Sequence, residues 1–107
     1  MMADDTLAGM TWAVFLTRTA DKMQRKLDKP LRLRIWEALQ TIATAPKRYG
    51  TQLSSPLSSI YSHHLTYQGR EFRIAYQLQE EAATVLIVLI GPHENFYRRV
   101  KQQLDAA

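Results

Sequence analysis

His93 and Tyr97 stand four residues apart, behind a Gly91-Pro92 turn that follows a run of aliphatic residues. On a helix start, that spacing puts an imidazole and a phenol one turn from each other. Upstream lie Arg73, in an alternating segment, and the adjacent pair His63 and His64. An imidazole titrates near neutral pH and suits general acid or base work. A guanidinium is always charged and matches phosphate bidentately. A phenol stacks on a base and donates a hydrogen bond. Together these groups point to metal-free cleavage of a phosphodiester, provided that they converge in space.

Each residue has a plainer reading. Alternation alone favours Arg73 as a surface arginine paired with Glu71 or a neighbouring strand. His93 could simply cap a turn, and Tyr97 could pack its helix on a sheet. His63 and His64, adjacent on a strand, point to opposite faces. His64 goes with Ser62 and Thr66, a polar set; His63 goes with Tyr61 and Leu65. Polarity selects His64 for the groove, and His63 is the alternate if the hairpin register is shifted by one. A metal site from His64, His93 and Glu94 lacks any zinc spacing signature.

The 107 residues contain no cysteine, which excludes disulfides, thiolate nucleophiles and cysteine-ligated zinc. Apolar residues are 46% and charged residues 22%, the balance of one globular domain spanning 1–107. A formal charge of +4 favours polyanionic or acidic partners. Lys47, Arg48, Arg98, Arg99 and Lys101 are candidates to track a phosphate backbone, although solvated helix faces account equally for many basic residues here. No Gly-rich phosphate loop, nucleophile elbow or spaced carboxylate pair supports kinase, esterase or glycosidase chemistry. Residues 1–9, with Asp4 and Asp5, read as a loose leader without the order of a signal peptide. The longest apolar run, 85–90, is too short to cross a bilayer. The expectation is a cytoplasmic protein.

The elements that must position these groups follow from periodicity. Residues 11–17 form a strand with apolar side chains on both faces, expected to be covered on both sides. Thr19 caps a short helix over 20–27. Pro30 opens a second helix whose stripe is Ile35, Trp36, Leu39, Ile42 and Ala43, and Pro46 ends it. Residues 47–59 are a loop. Strands over 60–67 and 71–79 meet at a Gln68-Gly69 turn. The second alternates cleanly, with Phe72, Ile74, Tyr76 and Leu78 on its apolar face. A continuous apolar strand over 84–90 precedes a last helix over 96–104 capped by Asn95, with Val100 and Leu104 docked and Arg98, Arg99 and Lys101 in solvent. The order β-α-α-β-β-β-α predicts an α+β fold: a helical hairpin on one face of a small, largely antiparallel twisted sheet, the other face open as a groove.

In this order, the segments Trp12–Thr17, His64-Leu65, Glu71–Tyr76, 85–90 and Gly91–Tyr97 resemble the RelE/ParE toxin superfamily of bacterial type II toxin–antitoxin systems, over residues 11–104. The Gly-x-His-x-x-x-aromatic tail is most similar to the RelE/YafQ-like mRNA interferase branch. The resemblance implies a RelE-like fold and a ribosome-dependent mRNA endonuclease needing no metal or small-molecule cofactor. It implies attack of a 2′-OH on the adjacent phosphate, with Arg73 as phosphate ligand, His93 and His64 (or His63) as acid and base in either order, and Tyr97 against the scissile nucleotide. Its implied partners are a cognate antitoxin and mRNA on the ribosome. The alternative within the superfamily is a ParE-like DNA gyrase inhibitor without nuclease activity. The lysine-rich strand of RelE itself is not matched: Ser62, His63 and His64 stand there.

Overall fold

A computed structural model describes residues 11–106; the 1–9 leader lies outside the described residues. Strand β1 (Ala13–Leu16) leads into helices α1 (Arg18–Arg25) and α2 (Lys29–Thr44). A short β2 (Thr51–Gln52), then β3 (Ile60–Tyr67), β4 (Arg70–Gln79) and β5 (Thr84–Pro92) follow, with a single 3-10 turn at Glu80–Ala82, and α3 (Phe96–Ala106) ends the order. The sheet order is β1-β5-β4-β3-β2. The β1–β5 pair is parallel and the other pairs are antiparallel. The helical hairpin is therefore the crossover that a parallel β1 requires.

Local chemistry sets the boundaries. Thr17, not Thr19, caps α1: its Oγ1 accepts from the Ala20 N–H at 3.1 Å. Asp28 caps α2 through the Leu31 N–H at 3.1 Å, with Pro30 in the first turn. Gln68 and Gly69 both take positive φ, as a two-residue hairpin turn with the right strand twist requires. Asn95 also has positive φ, and its contribution to α3 is a backbone carbonyl that accepts from Arg99 N–H at 3.0 Å.

Two cores flank the sheet. One joins Leu31, Ile35, Leu39 and Ile42 of α2 to Phe72, Ile74, Tyr76, Val85, Ile87 and Ile90. The other joins Phe96 and Val100 of α3 to Ile60, Ala75, Val88 and Leu89. The second core corrects the expectation of an open face: α3 lies on it. It also makes β4 buried on both faces from Phe72 to Tyr76, where alternation predicted a half-buried strand. A bulge opposite Ala75 and Tyr76 inserts one residue in β5, so Ile87 and Ile90 share a face although three apart. The expectation that β1 is covered on both sides also fails. Val14 and Leu16 pack inward, but Phe15 is 58% exposed on the edge strand.

The loop 47–59 contains β2 and a close contact that anchors it. The buried Tyr76 hydroxyl donates to the Pro46 carbonyl at 2.6 Å. A Cβ on Gly50 would lie 2.0 Å from that oxygen. Gly50→Ala is therefore expected to destabilise the fold by about 1–3 kcal/mol, as overpacking does, and by less in a Tyr76→Phe background. Urea unfolding of the two single variants and the double variant measures both terms; equal penalties in the two backgrounds would exclude the hydroxyl contact as the cause.

Candidate active site

Arg73 sits mid-strand on β4, on the face that α3 covers. His64 on β3 is its cross-strand partner, and Gly91 on β5 is its partner on the other side. Paired residues on adjacent strands point the same way, so pairing brings the His64 ring to the guanidinium. Two residues past Gly91, the His93 N–H donates to the Glu71 carbonyl at 3.1 Å, pinning the turn to β4. One turn later, Phe96 plugs into the core and Tyr97 turns out over the strand, its ring edge-on to Phe96.

These placements converge. Arg73 Nε donates to His93 Nδ1 at 2.7 Å. Its NH1 lies 2.6 Å from His64 Nε2 and donates to the Tyr97 hydroxyl at 2.9 Å. Its NH2 approaches Glu71 Oε1 at 3.4 Å. The Tyr97 ring lies against the guanidinium, 5.5 Å from centroid to Cζ. Arg73 is 7% exposed, so the surface-arginine reading is replaced by a buried cation whose donors are nearly all engaged.

The guanidinium also assigns the imidazole protons. Arginine has donors only. His64 must therefore accept on Nε2 and carry its proton on Nδ1; His93 must accept on Nδ1 and carry its proton on Nε2. Both rings are neutral while they hold these bonds. Glu71 Oε1 lies 3.5 Å from His93 Nδ1. That carboxylate gains a hydrogen bond from His93 only when the ring is protonated and releases Arg73. Glu71 is the member of the cluster that sequence reasoning treated merely as a partner for Arg73; the turn that folds His93 back on it is invisible in the sequence.

His63 faces the other way, as alternation requires. Its Nδ1 donates to the Tyr49 carbonyl at 2.5 Å, away from Arg73. The basic candidates divide. Arg98 and Lys101 are exposed on α3, Lys101 one turn beyond Tyr97. Arg48 is exposed and lies over the Tyr49 ring, 5.9 Å from its centroid. Arg99 is not in open solvent as expected: it is half-buried over Gly91, and its NH2 lies 3.7 Å from Met23 Sδ. The structure does not bring Lys47 to the cluster. Lys47 pairs with Glu80 at 2.9 Å beyond the other end of β4, and that hydrogen bond holds its ammonium above its ordinary pKa. Two hollows adjoin the cluster. One of about 410 Å³ lies between Tyr97 and Leu53, Pro56 and Leu57. The other, of about 320 Å³, runs from His64 to Arg48 and Tyr49. Among the described residues, no group of three or more His, Cys, Asp or Glu has metal-holding geometry, and no helix is long and apolar enough to cross a membrane.

A family model described as a ParE-like toxin of type II bacterial toxin–antitoxin system matches residues 14–101. The chain belongs to this family. Its structure is similar to the RelBE2 toxin–antitoxin complex of Mycobacterium tuberculosis, at 25% identity and TM-score 0.67, covering 78% of this chain and 99% of that one. It is also similar to a doubly substituted Escherichia coli RelE in the free state, at 20% identity and TM-score 0.69, covering 87% and 98%. The toxin chain of the intact E. coli RelBE complex matches at 22% identity and TM-score 0.65, covering 78% and 98%. At the identities of the two E. coli structures the likeness establishes the fold: the predicted RelE-like α+β architecture, with the added β2. A sequence search among curated proteins finds no match.

The toxin's cluster has a titration signature. Burial, then the Arg73 charge, lowers the His64 pKa below its ordinary value near 6.5. Arg73 NH1 occupies Nε2, which is where a second proton would have to go. An NMR titration of His64 is expected to show a midpoint below 6.5, and Arg73→Met is expected to raise it by removing the repulsion while keeping bulk. A midpoint unmoved by that substitution would mean that the guanidinium does not act on the ring.

Proposed function

We propose that this toxin is a metal-independent endoribonuclease that cleaves mRNA presented by the ribosome. The observation that carries the reading is a single buried guanidinium touched by two imidazoles and a phenol. Arg73 neutralises the charge that develops on the equatorial oxygens of the phosphorane. His64, with a free Nε2 lone pair once Arg73 turns to phosphate, accepts the 2′-OH proton. The 2′-oxygen bonds to phosphorus, and the bond from phosphorus to the 5′-oxygen breaks. His93, protonated and held by Glu71, gives its Nε2 proton to that departing oxygen. The products are a 2′,3′-cyclic phosphate and a 5′-hydroxyl. Tyr97 orients the scissile nucleotide, and Arg98 and Lys101 extend the positive surface along the strand.

The modest net charge of +4 supports dependence on the ribosome to present the codon, and hence a cytoplasmic site of action. Solved relatives are toxin–antitoxin complexes, which supports a cognate antitoxin as the protein partner. The family model's ParE-like label supports a second reading, inhibition of DNA gyrase without RNA cleavage, in which the cluster would be dispensable.

Primer extension on mRNA from translating ribosomes separates the two. Each positioned acid–base group contributes on the order of 10²–10⁴ in rate. His93→Ala and Arg73→Ala are therefore expected to reduce cleavage at least a hundredfold while the proteins remain folded by circular dichroism. Intact mRNA with the parent toxin, accompanied by DNA breaks, would select the gyrase reading.

A further inference from the structure

The hollow beside His64 has features that the acid–base chemistry leaves unused. It opens where β2 begins: β2 pairs with Tyr61 and Ser62 only, and the chain reaches the sheet edge from Tyr49 through Gly50. His63 fixes that approach through the Tyr49 carbonyl. The Tyr49 ring is 40% exposed with Arg48 laid over it. At the floor lies Ser62, which is 1% exposed and whose hydroxyl has no hydrogen-bond partner. A buried hydroxyl without a partner costs stability, and its residue, Ser62, lines a hollow of about 320 Å³, at the lower end of the size range of ligand sites.

We infer that this hollow is a base-binding subsite for the nucleotide that supplies the attacking 2′-OH. The inference rests on the nuclease reading and deepens it. His64 is shared by the hollow and the catalytic cluster, so a ribose whose 2′-OH meets His64 Nε2 carries its base into the hollow and its 3′-phosphate to Arg73. Tyr49 supplies a stacking face, as aromatic side chains do for unpaired bases. Arg48 extends the face as a planar cation and is placed to meet the preceding phosphate. Ser62 Oγ meets the edge of the base, where a hydroxyl serves as donor or acceptor, and its unpaired state without RNA becomes a paired one with it. Base preference at this one position then comes from Ser62 and the width of the hollow, and affinity from Tyr49.

The four nucleoside 3′-monophosphates, titrated into the isotope-labelled full chain, test this directly. Phosphate at Arg73 is expected to shift the His64 and Arg73 signals, and the base to shift Tyr49 and Ser62, with unequal affinities among the four. In ribosome cleavage assays with the nucleotide 5′ of the cut varied, Tyr49→Ala is expected to raise KM roughly tenfold to a hundredfold with kcat nearly kept, and Tyr49→Phe to behave as the parent. Ser62→Ala removes an unpaired buried hydroxyl, so its Tm is expected to be equal or higher while the ranking of the four nucleotides flattens. Shifts at Arg73 and His64 without shifts at Tyr49 and Ser62, or cleavage by both alanine variants with the parent KM and ranking, would overturn the subsite alone. Absence of any shift together with no cleavage by the parent would overturn the nuclease reading and the subsite with it.

Discussion

A guanidinium held almost out of water organises this molecule's chemistry. Burying a cation is tolerated only when its donors are satisfied, and Arg73 solves that problem with residues from each neighbouring element: His64 across one strand, His93 beyond the other, Tyr97 from α3 and Glu71 from its own strand. The fold supplies the cover. Phe96 and Val100 dock α3 against Ala75, and that docking swings Tyr97 over the arginine. Gly91 on the far flank leaves room for Arg99, whose NH1 would sit 3.1 Å from any Cβ there. Two cationic side chains thus share the end of the sheet, one directed into the cluster and the other toward the Met23 sulfur.

In the proposed reaction, phosphate binding is an exchange rather than an addition. Every anion oxygen that meets Arg73 takes a hydrogen bond now made to an imidazole, the phenol or a carboxylate. Each released group is then free for the substrate. In that reaction His64 regains a lone pair, and His93 Nδ1 is left beside the Glu71 carboxylate. The resting network is therefore coupled to the reactive one through a single side chain. Such coupling makes truncations of the cluster non-additive.

Much of this was legible in the sequence, for reasons that can be named. Period-two alternation separates His64 from His63 and puts His64 on the face of Ser62 and Thr66. The Gln68-Gly69 turn sets the hairpin register, and register alone pairs His64 with Arg73. What alternation could not supply was cover. It gives the face on which a side chain lies but not what is stacked on that face, so Arg73 read as superficial and Phe15 as enclosed. The apolar run 84–90 hid the bulge, because when every residue is aliphatic a shift in phase leaves no trace. Lys47 looked like its neighbour Arg48, yet Glu80, distant in sequence, captures it. Glu71 and Ser62 carry no motif; both matter only through what the folded chain brings beside them.

Family membership gives the scaffold, and one scaffold serves more than one activity. The consideration that favours the proposed nuclease activity is energetic. A protein that acts solely by presenting a surface to a partner has no need of a buried arginine surrounded by titratable groups. Replacing such a buried polar set by apolar residues of similar volume is often neutral, or stabilising by about 1–4 kcal/mol. Retaining it forgoes that stability on the face of the sheet that α3 covers. The orphan hydroxyl of Ser62 is a second small sacrifice on the same face, on the neighbouring strand and two residues from Arg73's partner His64. Both concessions become intelligible if a phosphate takes over the hydrogen bonds of Arg73 and its nucleotide completes the one that Ser62 leaves unmade.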